Sequence, residues 1–162
     1  FRAAVLVMSD SVAAGKSDDR SGTMIVDRLK DHGVEVADYA VIPDDKARIV
    51  ETLTRYADEM KLDLVLATGG SGFGPRDVTP EAVAEVIERD ASGIAEAVRA
   101  YGQERLPLAM LSRARAGLRD KTLIIALPGS PGAVTDGLDA LLPAVLHAFA
   151  MMEGNGHRKE NG

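Results

Sequence analysis

The segment LVLATGGSGFGPRDVTPEAV, residues 64–83, places a strand, a glycine-rich loop and a helix start in direct succession. Its first part, Leu64–Ala67, is a continuous apolar run, which is typical of a strand buried on both faces of a parallel sheet. Thr79-Pro80 then predicts a helix start, with the Thr79 hydroxyl as N-cap and proline as the first helical residue. We therefore expect the loop to leave the carboxyl end of a buried strand.

Strand and helix patterns alternate along the rest of the chain. The sequence predicts four buried strands, at Ala3–Met8, Val34–Ile42, Asp63–Thr68 and Thr122–Leu127. Helical patterns predict helices over Gly22–His32, from Pro43 through Tyr56, from Thr79, over Gly93–Glu104, and after Pro128–Gly132 to about Met151, with a bend at Pro143. This order predicts an α/β fold, a three-layer αβα sandwich with a mostly parallel, Rossmann-like sheet. We expect one domain over residues 1–153 and a flexible C-terminal tail over residues 154–162.

The composition narrows the classes of function. The 162 residues carry a formal net charge of −6, and aromatic residues make up only 4%. A general nucleic-acid binder usually has a basic face and stacking aromatics, so we predict no nucleic-acid partner. No apolar run approaches the roughly 20 residues that span a bilayer, and we recognise no secretory signal, so we predict a cytoplasmic protein with no membrane partner. The absence of cysteine excludes disulfides and thiolate metal sites.

Three loops rich in Gly, Ser, Asp or Pro leave the carboxyl ends of the predicted strands, and they are Ser9–Arg20, Gly69–Thr79 and Pro128–Gly132. Open α/β sheets bind their ligands at this end. In the second loop, four glycines in six positions let backbone N–H groups approach a ligand, and Arg76 adds a positive charge. We interpret this loop as a phosphate cradle at a helix N-terminus. A tight turn without a ligand would use the same residues, and the loop matches neither the Walker loop nor the dinucleotide fingerprint.

Two aspartates stand near predicted helix starts at this end of the sheet. Asp44 follows Pro43, and Asp77 precedes Thr79, so each is typical of a helix cap. Asp19 or Ser21, and also Ser130, are typical of caps as well. Two carboxylates that meet at the sheet edge would also suit Mg²⁺, which favours oxygen ligands and substrate phosphates. Without a cation they would repel a phosphate by about 4 kcal/mol at about 4 Å and an effective dielectric near 20.

Several separated stretches of the chain together resemble the molybdopterin-binding family, which includes the bacterial Mog and MoaB proteins and the G domain of gephyrin. The main match is Ala67–Ala82. The others, in chain order, are Ser9–Ser11 with Gly15, Asp19–Gly22, Val41–Asp45, Ala109–Arg113 with Ala116-Gly117, and Leu127–Pro131. The similarity extends from about Ala3 to Met151, and one small departure is Ser71, which stands where threonine is common.

The resemblance implies the molybdopterin-binding fold, a homotrimer and, in one branch, a molybdopterin adenylyltransferase. That enzyme transfers AMP from ATP to the terminal phosphate of molybdopterin with Mg²⁺ and releases pyrophosphate. The resemblance implies that Asp44 and Asp77 are needed for activity, and we assign them the metal ion. On the substrate side we assign Gly69, Gly70, Ser71, Gly72, Arg76, Thr79, Ser112, Arg113, Pro128, Gly129 and Ser130. On the nucleotide side we assign Asp10, Asp19, Ser21 and Gly22.

Two other functions remain open from the sequence. Some relatives bind the pterin or act as scaffolds without clear adenylylation, so a non-catalytic MoaB-like protein is the main alternative. A bare ATPase or nucleotide sensor is disfavoured because the Walker lysine is missing. A transient contact with a molybdenum-insertion protein is a further expectation.

Overall fold

The computed structural model describes residues 1–154, and these contain one six-stranded sheet. Its strands are β1 (Arg2–Met8), β2 (Glu35–Ile42), β3 (Leu64–Thr68), β4 (Arg89–Asp90), β5 (Ala116–Arg119) and β6 (Thr122–Leu127). Their order is β2-β1-β3-β6-β5-β4, in which the first four strands are parallel and β5 is antiparallel to both of its neighbours. The four predicted strands are confirmed, but β2 is an edge strand in which only Ile42 is buried, so its predicted burial is wrong. The short strands β4 and β5 are additions at one edge.

Helices cover both faces of the sheet. They are α1 (Asp10–Ala13), α2 (Arg20–Asp31), α3 (Lys46–Thr54), α4 (Thr79–Val86), α5 (Ser92–Gln103), α6 (Pro131–Leu141) and α7 (Ala144–Met152). A π-helical turn, Arg55–Glu59, extends α3, and a 3₁₀ turn spans Pro107–Leu111. Helix α1 lies inside the segment predicted as loop, where Ser9 accepts a hydrogen bond from the Val12 amide as its N-cap.

Side chains of the central strands alternate between two apolar cores, one on each face of the sheet. Ala3 and Val5 of β1 pack with α2, α5, α6 and α7, whereas Ala4 and Leu6 pack with α3 and α4. This alternation follows from the two-residue period of a strand, and it explains why the central parallel strands β1, β3 and β6 are almost entirely apolar. The three-layer αβα prediction is confirmed.

A break at Pro143 divides the last apolar stretch of the chain into two helices. The Leu142–Pro143 peptide bond is cis, and α6 and α7 are bent by 54° at this break. Within residues 1–154 no single helix is long and apolar enough to cross a membrane, and only this bent pair reaches that length and composition jointly. Val134, Leu138 and Phe149 of the pair are buried against the sheet. The predicted boundary at residue 153 stays a prediction, and residues 155–162 of the predicted tail lie outside the described part.

Candidate functional site

The candidate site lies at the carboxyl ends of the parallel strands, where the loops after β1, β2 and β3 meet. The strand order changes direction between β1 and β3, and this is the place where open α/β sheets bind ligands. Asp10 follows β1 and Asp44 follows β2, and the two exchange hydrogen bonds. The Asp10 amide donates to Asp44 Oδ2 at 3.1 Å, and the Asp44 amide donates to Asp10 Oδ1 at 3.0 Å. This reciprocal contact joins the first two loops.

Arg76 joins the glycine-rich loop after β3 to the same cluster. Its guanidinium donates through Nε to Asp10 Oδ2 at 2.9 Å and through Nη2 to Asp10 Oδ1 at 3.0 Å. These bonds, with the Asp44 amide, hold the pKa of the Asp10 carboxyl below its ordinary value. Arg76 was predicted to supply a positive charge to a phosphate, and the structure shows that Asp10 already pairs with this charge.

Asp44 has one carboxylate oxygen without a hydrogen-bond partner. Within residues 1–154, Oδ1 of Asp44 is the one buried side-chain nitrogen or oxygen that has no hydrogen-bond partner. Burial raises the pKa of the Asp44 carboxyl; the Asp10 amide opposes this shift, and the negative charges of Asp10 and Asp77 add to it. An unpaired buried carboxylate oxygen is costly unless a partner is supplied, and a cation is such a partner. Asp44 therefore fits the predicted metal-binding role.

The helix-cap interpretation is wrong for Asp44, Asp77 and Thr79. Helix α3 begins after Asp45, whose side chain makes no cap bond. Asp77 Oδ2 instead accepts from the Gly74 amide at 2.8 Å and closes the glycine-rich loop on itself. Thr79 is the first residue of α4, whose N-cap is Val78, and its buried hydroxyl donates to the Gly69 carbonyl at 2.8 Å. The cap predictions for Asp19 and Ser130 are confirmed.

The glycines after β3 allow the loop to pass close to its neighbours. Gly69 and Gly70 have φ angles of +100° and +65°, a left-handed region that disfavours side chains. A Cβ added at Gly70 would lie 2.6 Å from Thr79 Oγ1 and 2.8 Å from Asp44 Oδ1. The unpaired Asp44 oxygen therefore lies directly against the glycine-rich loop.

Two clefts open at this end of the sheet, and Gly129 lines both of them. The larger cleft has a volume of about 850 Å³ and the smaller one about 390 Å³. Of the predicted residues, the larger cleft is lined by Gly70, Ser71, Gly72, Asp77, Ser112, Pro128, Gly129 and Ser130. The smaller cleft is lined by Asp19, Ser21, Gly69 and Gly129. The predicted substrate and nucleotide residues thus separate largely into two adjoining cavities.

Other predicted residues support the clefts without lining them. Arg113 donates to the Gly72 carbonyl at 2.8 Å and to the Asp77 carbonyl at 2.9 Å, so it holds the glycine-rich loop in shape. Neither cleft is lined by Asp10, Gly22, Asp44, Arg76, Thr79 or Arg113. Gly22 is buried at the start of α2, where its amide donates to Asp19 Oδ1 at 2.9 Å.

The larger cleft also has a wall that the sequence did not indicate. Arg99 on α5 donates to the Ala114 carbonyl at 2.8 Å, and Asp136 on α6 pairs with Arg105 at 3.3 Å. Leu106 and Leu108 add exposed apolar surface. These residues lie far from the glycine-rich loop in sequence, and only the packing of α5 and α6 brings them to the cleft.

A tyrosine contact beside the smaller cleft was also missed. The Tyr39 hydroxyl on β2 donates to the Asp19 carboxylate, and burial together with this contact raises the pKa of Tyr39 to about 12. Asp19 is therefore fixed both by the α2 amide of Gly22 and by Tyr39. A strand tyrosine carries no sequence signal for such a contact, because the pairing depends on how α2 lies against β2.

A metal ion at this site would depend on few protein ligands. Among residues 1–154, no group of three or more His, Cys, Asp or Glu side chains is placed to hold a metal ion. Mg²⁺ is often held by one or two carboxylates together with substrate phosphates, so the carboxylates of Asp44 and Asp77 would be enough protein ligands for it.

Comparison with known proteins places the chain in a family. The sequence model described as "Probable molybdopterin binding domain" matches residues 4–147. The chain belongs to the molybdopterin-binding family of molybdenum cofactor biosynthesis. Membership confirms the resemblance inferred from the separated loops.

Individual relatives agree with this family. The chain is 36% identical over 153 residues to the molybdopterin adenylyltransferase of Helicobacter pylori strain J99, a match that covers 93% of this chain and 87% of the relative. It is 38% identical over 156 residues to a molybdenum cofactor biosynthesis bifunctional protein of Chlorobaculum tepidum, covering 96% of this chain and 50% of that protein. The chain thus spans about half the length of this relative.

The fold is shared with a solved structure of the family. The molybdopterin biosynthesis enzyme MoaB from Thermus thermophilus superposes with a TM-score of 0.89 at 41% identity, covering 95% of this chain and 97% of that one. The agreement over nearly the whole of both chains confirms the predicted molybdopterin-binding fold.

Proposed function

We propose that this protein is a molybdopterin adenylyltransferase, a Mg²⁺-dependent nucleotidyltransferase of molybdenum cofactor biosynthesis. The observation that carries the proposal is the unpaired Asp44 oxygen, held against the glycine-rich loop and within electrostatic reach of Asp77. The two adjoining clefts supply space for two ligands. A relative that is named for this activity and matched over most of its length gives independent support.

The proposed reaction joins two anions. An oxygen of the terminal phosphate of molybdopterin forms a bond to the α-phosphorus of ATP, the bond from that phosphorus to the β-phosphate oxygen breaks, and pyrophosphate leaves. The phosphate nucleophile is already ionised near neutral pH, so no general base is needed. Catalysis then consists mainly of alignment and charge neutralisation.

The protein's part in this reaction is to hold both ligands in line. In the larger cleft the Gly70–Gly72 amides and the Ser71 hydroxyl would bind phosphate, while Ser112 and Pro128–Ser130 would contact the pterin side. In the smaller cleft Asp19 and Ser21 would contact the nucleotide. Mg²⁺ on Asp44 and Asp77 would offset the negative charge of the ATP phosphates. Gly129 lines both cavities, so the reacting groups would meet beside it.

The alternative is a MoaB-like protein that binds molybdopterin without transferring AMP. A solved structure named MoaB is 41% identical to this chain, so the family alone does not separate the two. The presence of both Asp44 and Asp77, with one oxygen of Asp44 unpaired, favours the enzyme.

Pyrophosphate release from ATP separates these functions. We expect release that requires both molybdopterin and Mg²⁺, with ATP alone giving only the background rate. Binding of molybdopterin without pyrophosphate release would favour the alternative, and release without molybdopterin would indicate an ATPase.

We also propose a cytoplasmic homotrimer that passes its product to a molybdenum-insertion protein. Leu108 and Met110 are 65% and 64% exposed, and such apolar surface is typical of a subunit interface. The bifunctional name of the longer Chlorobaculum relative supports a close link to a second activity. Light scattering at micromolar concentration tests the trimer directly.

A further inference from the structure

We propose that Asp10 is a positioning residue that orients Asp44 toward a divalent cation and holds Arg76 beside it. This inference rests on the proposed function and deepens it. Asp10 lies on the loop after β1, and its side chain and amide together contact the loops after β2 and β3. Asp10 therefore connects all three loops through its own hydrogen bonds.

Both carboxylate oxygens of Asp10 already accept hydrogen bonds from the protein. Oδ2 accepts from Arg76 Nε at 2.9 Å, and Oδ1 accepts from Arg76 Nη2 and from the Asp44 amide, both at 3.0 Å. Neither cleft is lined by Asp10. These contacts favour a role for Asp10 through its neighbours, whereas the resemblance assigned it to the nucleotide side.

The amide of Asp10 decides which oxygen of Asp44 remains available. It donates to Asp44 Oδ2 at 3.1 Å, so that oxygen is occupied. The other oxygen, Oδ1, then lies against Gly70, buried and without a partner. Asp10 contacts both the backbone amide and the Oδ2 atom of Asp44, and these two contacts restrict rotation of the Asp44 carboxylate. A cation would therefore meet an Oδ1 atom that is already oriented.

Arg76 balances the negative charge of the cluster. Asp10, Asp44 and Asp45 all interact electrostatically with the Arg76 guanidinium. Without the Arg76 guanidinium, three carboxylates would lie near the place where the ATP phosphates are proposed to bind. Like charges at short range repel each other. Asp10 fixes Arg76 by two parallel hydrogen bonds, a geometry that a planar guanidinium and a carboxylate favour.

Metal binding without turnover tests this role. We would titrate Mn²⁺ into the full chain with a non-hydrolysable ATP analogue that has a methylene bridge between its α- and β-phosphates, and follow free Mn²⁺ by electron paramagnetic resonance. Loss of a group that orients a metal ligand commonly lowers metal affinity about 10- to 100-fold. Asp10→Ala keeps the backbone amide but removes the side-chain contacts to the Asp44 amide and to Arg76, so we expect it to raise the Mn²⁺ dissociation constant at least about tenfold. Asp10→Asn, which keeps an acceptor oxygen, should raise it less.

Two matched controls separate positioning from charge and from stability. Asp45→Asn removes a negative charge close to Arg76 but no cap hydrogen bond. Asp58→Ala breaks a bidentate pair with Arg119 of the same geometry at the other end of the sheet. Both should stay within about twofold of the unsubstituted chain, which is the scale of weakly coupled surface changes.

Each outcome decides the inference. Asp10→Ala within about twofold of the unsubstituted chain would overturn it, as would an equal loss in Asp45→Asn or Asp58→Ala. Pyrophosphate release separates failure of the proposed function from failure of this inference alone. If the unsubstituted chain neither binds Mn²⁺ nor releases pyrophosphate, both the proposed function and this inference are wrong. If the chain does both and Asp10→Ala binds Mn²⁺ normally, only the inference fails.

Discussion

Two aspartate–arginine pairs of nearly identical geometry lie at opposite ends of the sheet. Asp10 and Arg76 meet where β1 and β3 end, with hydrogen bonds of 2.9 and 3.0 Å. Asp58 and Arg119 meet where β3 and β6 begin, with hydrogen bonds of 2.9 and 2.8 Å. Both carboxyl groups have a pKa below the ordinary value because of the arginine hydrogen bonds.

The surroundings of the two pairs differ. Arg119 also donates to the Val86 carbonyl at 3.0 Å, so this pair joins the end of α4 to the sheet edge. The Asp10 pair stands beside a carboxylate with an unpaired buried oxygen and beside a loop of glycines. An ion pair alone therefore says little about function, and the unsatisfied neighbour is what distinguishes a site from a structural contact.

The largest expected effect concerns Asp77 at the carboxyl end of the strands. We expect Asp77→Asn to lower molybdopterin-dependent pyrophosphate release at least about a hundredfold, the scale of losing one key electrostatic group. Asparagine keeps an oxygen for the Gly74 amide, so the loop and pterin binding should be nearly unchanged. Turnover near that of the unsubstituted chain would remove Asp77 from the mechanism.

Gly70 gives the next largest effect, on stability. Gly70→Ala should lower the free energy of unfolding by about 2 kcal/mol, since a left-handed residue with a Cβ costs about 1–2 kcal/mol and the new methyl would press on Thr79. Urea unfolding measures this change. Gly93→Ala is the control, because a Cβ there meets nothing within 4 Å and Gly93 lies in helix α5. Equal losses in both variants would mean that the loop geometry is not as described.

Substitution of Arg76 and of Arg119 should have different effects, because the two arginines lie at opposite ends of the sheet. Arg76→Ala should raise the KM for ATP about fivefold with little change in unfolding, because an exposed positive charge near the phosphates attracts them and is partly screened by water. Arg119→Ala should leave that KM unchanged and lower the free energy of unfolding by about 1 kcal/mol, a typical hydrogen-bond contribution. Steady-state kinetics and urea unfolding of both variants measure these effects, and a raised KM in Arg119→Ala would break the contrast.

The smallest effect is the pH dependence of the Asp58 pair. The pKa of Asp58 is lower in the folded protein, so its contribution to stability is present above its unfolded pKa. That contribution is lost as the pH falls through the folded pKa. Asp58→Asn should therefore melt slightly below the unsubstituted chain at neutral pH, and the gap should close in acid. A gap that stays constant as the pH falls through the acid range would contradict this assignment.

Local sequence patterns predicted most of the fold. The four parallel strands were predicted within one or two residues, because β1, β3 and β6 are dominated by continuous apolar runs and β2 is rich in Val and Ile. The short strands β4 and β5 were not predicted: β4 has two exposed residues, and β5 reads Ala-Gly-Leu-Arg without a clear alternation. Their pairing depends on β6, which lies next to β5 in space and is antiparallel to it.

The site was predicted in its composition but not in its connections. The order of elements was enough to place Asp44 and Asp77 at the carboxyl ends of the parallel strands. The bonds of Asp10 to both Asp44 and Arg76 could not be predicted, because they join residues 34 and 66 positions apart in the chain. For the same reason the sequence favoured a cap role for Asp44, whose contacts are instead with Asp10.

A crystal grown with Mn²⁺ and the non-hydrolysable ATP analogue tests the central claim most directly. Anomalous scattering measured at the manganese absorption edge locates the ion independently of any activity. The account predicts a peak bound by Asp44 Oδ1 and the Asp77 carboxylate, beside the glycine-rich loop and the analogue's phosphates. A bound analogue with the manganese peak elsewhere, or with none at these two carboxylates, would contradict it.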